Sequence, residues 1–409
     1  MISHTNIACI ALVLLLKLSG FLNTDLIGKT DGTDDNDKDT ITVVTDSGEL
    51  AFSSISAGQS QTCGLTTEGK AYCWGQGTNT QLGHGTSGNM TSPVAVAGDL
   101  TFSSISVGSG HACAVTPDGD AYCWGGGGAF QLGYGGSTNK FRPVKVSGEL
   151  RIATVSAGMA HTCGVTTEGE AWCWGRGLYG RLGNGSEESQ SVPVQVAGGL
   201  TFTSISADAA HTCAITDAGE AWCWGQGIYG KLGNGSTGNY LEPVEVDGNL
   251  SFSSISAGQS HTCGITTEGE AYCWGRNIVG QLGDGTTNDQ MVPQRVTGGM
   301  TFSSISSGML HSCGISTDGR TWCWGRNASG QLGDNTSELI RMEPVGVYED
   351  PVFTNIAAGS RHTCGVSAEQ NKAWCWGFGD RGRLGNGTEE KKIRPTPVAV
   401  PTQIWTGGD

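Results

Sequence analysis

The sequence predicts an all-β fold: a closed seven-bladed β-propeller of four-stranded, roughly 50-residue blades, with one disulfide inside each blade. Three observations predict it. From Ala51 the chain repeats in blocks of 50 residues that begin at positions 51, 101, 151, 201, 251 and 301, with a seventh, one residue longer, near Pro351. All of the 15 cysteines except Cys9 recur as pairs at one place in each block. The 67 glycines follow no collagen period and alternate with recurring aromatics, as many short strands joined by tight turns require.

The cleanest copy of the repeat runs from Ser254 to Gly275 and reads as two strands, His261 to Thr266 and Glu270 to Gly275, around a tight turn. A three-residue loop over Thr267, Glu268 and Gly269 puts Gly269 in the left-handed conformation that glycine adopts cheaply. Ile265 then faces Ala271, Gly264 faces Tyr272 and Cys263 faces Cys273. The cysteines fall on a non-hydrogen-bonded pair, with Cα atoms about 4.5 Å apart, which a disulfide tolerates. The predicted bridges are Cys63–Cys73, Cys113–Cys123, Cys163–Cys173, Cys213–Cys223, Cys263–Cys273, Cys313–Cys323 and Cys364–Cys375. A C-x9-C spacing with no second pair nearby is wrong for zinc, so no metal is expected. Period two puts the aromatic row Tyr72 to Trp374 and the tryptophan row Trp74 to Trp376 on one face of each blade, as core, with the cysteines on the other.

The remaining segments follow in order. Residues Ile7 to Leu16 are apolar, long enough for a signal h-region and too short to span a bilayer, so 1–24 is expected to be a signal peptide. Residues 25–40 form an acidic linker. Its Asp35, Asp37 and Asp39 alternate as in a calcium loop, but Thr40 stands where the turn needs glycine. The propeller is expected over 41–403 and a short tail over 404–409. Either Ile41–Val44 or Pro397–Val400 is expected to complete blade 1 or its neighbour and clasp the ring, the C-terminal segment being favoured. Paired cysteines and a signal segment place the protein outside the cytosol: secreted, periplasmic or at the cell surface, with no membrane span after signal cleavage. The net charge of −15 argues against nucleic acid.

Two patterns carry a family likeness: Ser-Ala-Gly-x-x-His-Thr, as at Ser156 to Thr162, and Trp-Gly-Arg-Asn-x-x-Gly-Gln-Leu-Gly-Asp at Trp274 to Asp284 and Trp324 to Asp334. The chain resembles the regulator of chromosome condensation repeat family from residue 51 to about 400. The resemblance implies a seven-bladed propeller. It also implies either guanine-nucleotide exchange on a small GTPase, as in the nuclear founder, or protein binding through one face, as in secreted relatives. The paired cysteines, the acidity and the constant blade length, which leaves no room for the founder's β-wedge, favour the second.

Candidate site residues sit where the repeat varies. The loops between Gly and His, and those after Trp-Gly, are expected to meet on one face. They carry Phe130, Met159, Tyr179, Tyr229, Met309, Leu310 and Arg361, residue types enriched at interface centres, together with Leu178 and Ile228, which could equally pack beneath their own loops. The hairpin tips on the other face carry Glu68, Asp118, Glu168, Glu268, Asp318 and Glu369, an acidic rim. The column His111, His161, His211, His261, His311 and His362, with Gln61 in blade 1, reads as imidazoles satisfying backbone groups within each blade. Asp208 replaces the glycine of Gly-x-x-His and is the one acid that breaks the pattern. No nucleophile–base–orienter set stands out, so no catalytic residue and no cofactor are assigned. The expectation is a monomeric scaffold for an extracellular protein or glycan. Exchange activity, or a polysaccharide or peptide lyase or hydrolase with its site at the propeller axis, is the alternative.

Overall fold

The structure, a computed structural model, describes residues 49–349 and 351–401. The signal segment, the acidic linker, Ile41–Val44 and the tail lie outside the described residues. Seven four-stranded antiparallel sheets follow one another as plain meanders over 52–95, 104–145, 152–195, 202–245, 252–295, 302–346 and 353–397. In blade 5 the strands are Phe252–Ala257, His261–Thr266, Ala271–Gly275 and Gln290–Arg295, from the axis outward. No helix is long and apolar enough to cross a membrane among the described residues.

The hairpin has the expected register: Cys263 pairs with Cys273, Gly264 with Tyr272 and Ile265 with Ala271. Gly269 has φ +83°, and Thr266 N–H donates to the Glu270 carbonyl at 2.9 Å. All seven bridges form within their blades, with Cα–Cα distances of 4.0–4.1 Å. The bridge of each blade then becomes part of a floor for its neighbour. Cys63 and Cys73 pack with Leu65 and Leu82 against Phe102 and Trp124 of blade 2, and the same cluster recurs at every seam. The row of seven tryptophans from Trp74 to Trp376 is fully buried. The row two residues earlier is only half-buried, because its outer ends reach the hairpin tips; Trp172 Nε1 donates to Glu170 and Tyr272 Oη to Glu270, both at 3.2 Å.

The C-terminal end completes blade 7, the neighbour of blade 1, but does not clasp the ring across the chain ends. Lys392–Pro397 is the outermost strand of its own blade 7, and Phe52–Ala57 is the innermost strand of blade 1, so no described strand is exchanged across the chain ends. Backbone bonds and side chains close the ring: Phe52 N–H donates to the Asn371 carbonyl at 2.7 Å and Gly387 N–H to the Thr91 carbonyl at 2.8 Å. Phe52, Ile55 and Trp74 pack on Cys364, Val366 and Cys375 just as at the other seams.

The histidine column explains the seam, and it too departs from the expectation, since each histidine bonds to the next blade rather than within its own. His111 Nε2 lies 2.8 Å from Thr162 Oγ1, and Thr162 Oγ1 donates at 2.8 Å to the Gln131 carbonyl. That hydroxyl proton is thereby committed, so the imidazole N–H must donate to the threonine oxygen. The Gln131 carbonyl also accepts Trp174 Nε1–H at 3.0 Å. The relay repeats from His161, His211, His261 and His311, and His362 to Thr62 closes the circle at 2.8 Å. Blade 1 has Gln61, whose Nε2 donates to the Gly108 carbonyl at 3.0 Å, and blade 2 correspondingly has Ala112 in place of threonine. Trp124 Nε1, which should reach the Gln81 carbonyl, is buried without a partner. The seam between blades 1 and 2 is therefore the least bonded.

Two outcomes are expected. The double variant Gln61→His/Ala112→Thr should raise stability by about 1 kcal/mol, the net worth of a buried hydrogen bond. Denaturant unfolding measures it, and a loss of stability would show that this seam does not tolerate the relay. Replacing Cys263 and Cys273 together by serine should cost about 2.5–3 kcal/mol in the loop-entropy account of a ten-residue closure, read from the same transition.

Candidate functional site

The register that pairs the cysteines also decides where the variable loops go. His161 pairs with Gly175 at the end of the hairpin remote from its tip, and Arg176 N–H donates to the Ala160 carbonyl at 2.9 Å. The same bond recurs in the other blades, from Gln76 to Ser60 and from Phe378 to Arg361 for example. The loops before the histidine and after Trp-Gly are thus tied together on one face, and the hairpin tips lie on the other.

On this loop face the sequence-selected residues fall into two groups. Tyr179 and Tyr229 stand at the centres of single 3₁₀ turns, Leu178–Gly180 and Ile228–Gly230, with φ of 69° and 68°. Bulky side chains seldom accept this conformation, which costs of order 1 kcal/mol or more. Arg276 lies over the Tyr229 ring at 4.7 Å. Arg361 lies over Phe378 at 4.0 Å and donates to Ser329 Oγ at 2.9 Å, while Ser360 Oγ donates to Met309 Sδ at 3.1 Å. Met159 and Ile228 are 38% and 42% exposed, whereas Tyr179, Tyr229, Met309 and Arg361 are half-buried, as are Phe130 (φ 65°), Leu310 and Leu178.

The sequence reading missed Ile278, 50% exposed in blade 5, and an apolar row on the outermost strands. Leu241, Met291 and Met342 are exposed there and sit against the loops of the preceding blades, beside Gly180, Gly230 and Gly280. A signal for them exists, since each stands two residues before the strand proline, as do Phe141 and Thr91.

The axis holds a channel of about 260 Å³ lined by the innermost strands and the Gly-x-x-His loops. Its neck is a ring of glycines. A Cβ on Gly108 would lie 2.1 Å from the Gly158 carbonyl and 2.9 Å from the His111 ring, so the ring closes up only around glycine. Asp208 is the exception in blade 4. The bond from its N–H to the His211 carbonyl lengthens to 3.3 Å, against 2.8–3.0 Å in the other blades. Its carboxylate is the one titratable side chain in the channel lining. Water can touch it, but protein surrounds it, and this desolvation pushes its pKa up to about 7 against the pull of the Ala209 N–H and the buried Lys231. Burial pushes the relay imidazoles the other way, to about 3 for His111, His261 and His311. Among the described residues no three His, Cys, Asp or Glu side chains come together as metal ligands.

The hairpin tips carry the expected acids, all exposed, with bases interleaved: Lys145 and Arg151 pair with Asp120 at 2.8 and 2.9 Å, and Arg295 pairs with Glu270 at 2.6 Å.

Seven meander blades, stacked tryptophan on disulfide around an axial channel with variable loops on one face, define a repeat propeller. The RCC1-like domain profile matches residues 137–409, and Regulator of chromosome condensation (RCC1) repeat profiles match 68–115, 52–81 and 102–131. The chain belongs to the RCC1-like domain family. No curated protein matches it. Among solved structures it is similar to yeast RCC1 (Prp20) bound to Kap60, at 20% identity and a TM-score of 0.72, covering 92% of this chain and 91% of the other. Human WBSCR16 matches at 20% identity and a TM-score of 0.71, over 78% and 88%. The CRINKLY WD40 ectodomain of the Arabidopsis thaliana receptor kinase ACR4 matches at 21% and 0.54, over 86% and 100%. At these identities the likeness is one of fold.

A pH experiment separates Asp208 from the histidines. The folded chain holds a proton on Asp208 between pH 3.8 and about 7 that the unfolded chain releases, so its contribution falls as pH rises through that window. The histidines have the opposite sign: the unfolded chain takes up protons below about 6.5, so the stability they confer is lost on acidification. Asp208→Asn should therefore match the parent near pH 4 and unfold at a higher temperature near pH 8. An equal shift at both pH values would contradict the raised pKa.

Proposed function

We propose that this protein is a secreted, periplasmic or cell-surface propeller that binds an extracellular protein or glycan through its loop face, acting as a monomer. The observation that carries this reading is the asymmetry of the two faces. Exposed Met159, Ile228 and Ile278 gather on the loop face with the half-buried Tyr179, Tyr229 and Met309, while the hairpin-tip face is acidic. Exposed apolar groups of this kind, carried on loops above a rigid scaffold, are what binding surfaces are made of. Two further facts support an oxidising location: one disulfide in every blade, and the likeness in fold to a receptor-kinase ectodomain.

The other readings draw less support. A glycosidase site needs two carboxyl groups flanking a scissile bond, and the channel lining carries Asp208 alone. Nucleotide exchange would rest on fold likeness to yeast RCC1, whose Prp20p structure is described with binding to Gsp1p and histones.

A partner captured by cross-linking from the native extracellular fluid provides the test. Tyr179→Ala, Tyr229→Ala, Met309→Ala and Arg361→Ala should each weaken its binding by about 1–3 kcal/mol where the residue is a hot spot, with little change in unfolding temperature. If all four variants keep the parental affinity, the loop face is not the binding surface.

A further inference from the structure

The loops of the binding face, Gly-x-x-His and the stretch from Trp-Gly to Leu, hold eight bases and two acids, Asp208 and Asp380, in a chain whose net charge is −15. Three of the bases, Arg181, Lys231 and Arg383, occupy the position that is Gln in the other four blades, and all three are buried. Three more, Arg176, Arg276 and Arg326, follow Trp-Gly in blades 3, 5 and 6, and Arg361 precedes His362 in blade 7.

What these bases touch sets them apart. On the hairpin-tip face, Lys145, Arg151 and Arg295 meet carboxylates within 3 Å. Among the eight loop bases, carboxylate pairing within the described residues is confined to Asp380 in blade 7, 3.4 Å from Arg381 and 3.7 Å from Arg383. At the same end of the outer strands, however, Arg341 meets Asp334 at 3.0 Å and Lys392 meets Glu390 at 2.9 Å. Elsewhere among the loop bases the partners are neutral. Arg181 donates to the carbonyls of Leu178 and Ala209 at 2.9 Å, and Lys231 donates to Gln226 Oε1 at 3.0 Å. Arg361 takes Ser329 and the Phe378 ring, and Arg276 takes the Tyr229 ring while its Nε–H is buried without an acceptor. Burial accordingly lowers Arg181 and Arg383 to about 10 and Lys231 to about 8. The Arg276 and Arg361 guanidinium groups are thus held in place by ring and hydroxyl contacts that bring no carboxylate to them, the arrangement that best accepts one from outside.

We infer that the loop face recognises an acidic polypeptide segment whose carboxylates alternate with apolar side chains. This rests on the loop face being the binding surface. The charge calls for an anion, and the company the bases keep narrows it. Tyr229 and Phe378 lie under guanidinium groups, and Ile228 and Ile278 are 42% and 50% exposed beside them. Such a surface gains from burying leucine or aromatic side chains, which a sulfated glycan does not offer. A nucleic acid long enough to cross the ring would also meet the acidic body of the chain.

The test is a fluorescence-anisotropy titration of the full chain with a labelled peptide alternating glutamate with leucine and tyrosine. The same peptide with lysine for glutamate, a heparin oligosaccharide and a single-stranded oligonucleotide serve as comparisons. The acidic peptide should bind, and raising NaCl from about 50 to about 500 mM should weaken it about ten-fold or more. The double variant Arg276→Gln/Arg326→Gln should weaken it to a similar extent. Lys145→Gln/Arg295→Gln on the opposite face should leave it unchanged, all with parental unfolding temperatures. Tighter binding of heparin or the oligonucleotide, equal binding of the lysine peptide, no binding of the acidic peptide, or insensitivity to the loop-face arginines would each overturn the inference. The captured partner separates this from the broader reading. If the Tyr179 and Tyr229 variants lose it and the arginine variants keep it, the face stands and the acidic class falls.

Discussion

At six of its seven seams the ring depends on one shared backbone carbonyl. In blade 2 it is that of Gln131, which accepts the Thr162 hydroxyl and the Trp174 indole N–H of the next blade, while the hydroxyl in turn accepts from His111. Three polar groups that burial would otherwise leave stranded satisfy one another across the seam, where an unmade bond costs about 1–3 kcal/mol. This fixes how one blade sits on the next more sharply than apolar packing could, since packing alone tolerates sliding. It also explains why the side chain at the carbonyl position varies between glutamine, arginine and lysine: the relay uses only its backbone. Arg181 and Arg383 add side-chain bonds to the next blade, to the Ala209 and Gln59 carbonyls.

Much of the fold was legible because the repeat constrains it. The Cys263–Cys273 register followed from Gly269 and the turn length alone, and with it the sharing of one face by the two variable loops. What lay beyond the sequence were relations between blades. His111 and Thr162 are 51 residues apart, one more than the period, so a within-blade reading of the histidine was equally compatible with the pattern. Their dependence shows only where both change together, at Gln61 and Ala112. Closure was only partly legible for a related reason. A periodic sequence does not reveal where a blade begins, so Pro397–Val400 looked unpartnered, although Lys392–Pro397 is the last strand of its own sheet. Within the candidate site, Tyr179, Tyr229, Met309 and Arg361 could be picked out as departures from the repeat. Ile278 and the buried bases could not, because their exposure and partners are set by loops folded against adjacent blades.

The departures from sevenfold regularity are themselves distributed. The weakest polar seam lies between blades 1 and 2, the carboxylate in the channel neck belongs to blade 4, and the arginine-on-aromatic stacks lie in blades 3, 4, 5 and 7. A scaffold whose seams are independent can absorb such local changes one at a time, because each blade contacts only its neighbours.

Every bridge spans ten or eleven residues of chain and joins the two strands of one hairpin. Closing so short a loop needs only that hairpin, not the ring. Wherever the chain meets an oxidant during synthesis, each cysteine therefore finds its own partner at high effective concentration before the next pair has emerged. Of the many ways fourteen thiols could combine, the chain presents essentially one, and a blade arrives at its neighbour already carrying the sulfur floor on which the next tryptophan will land.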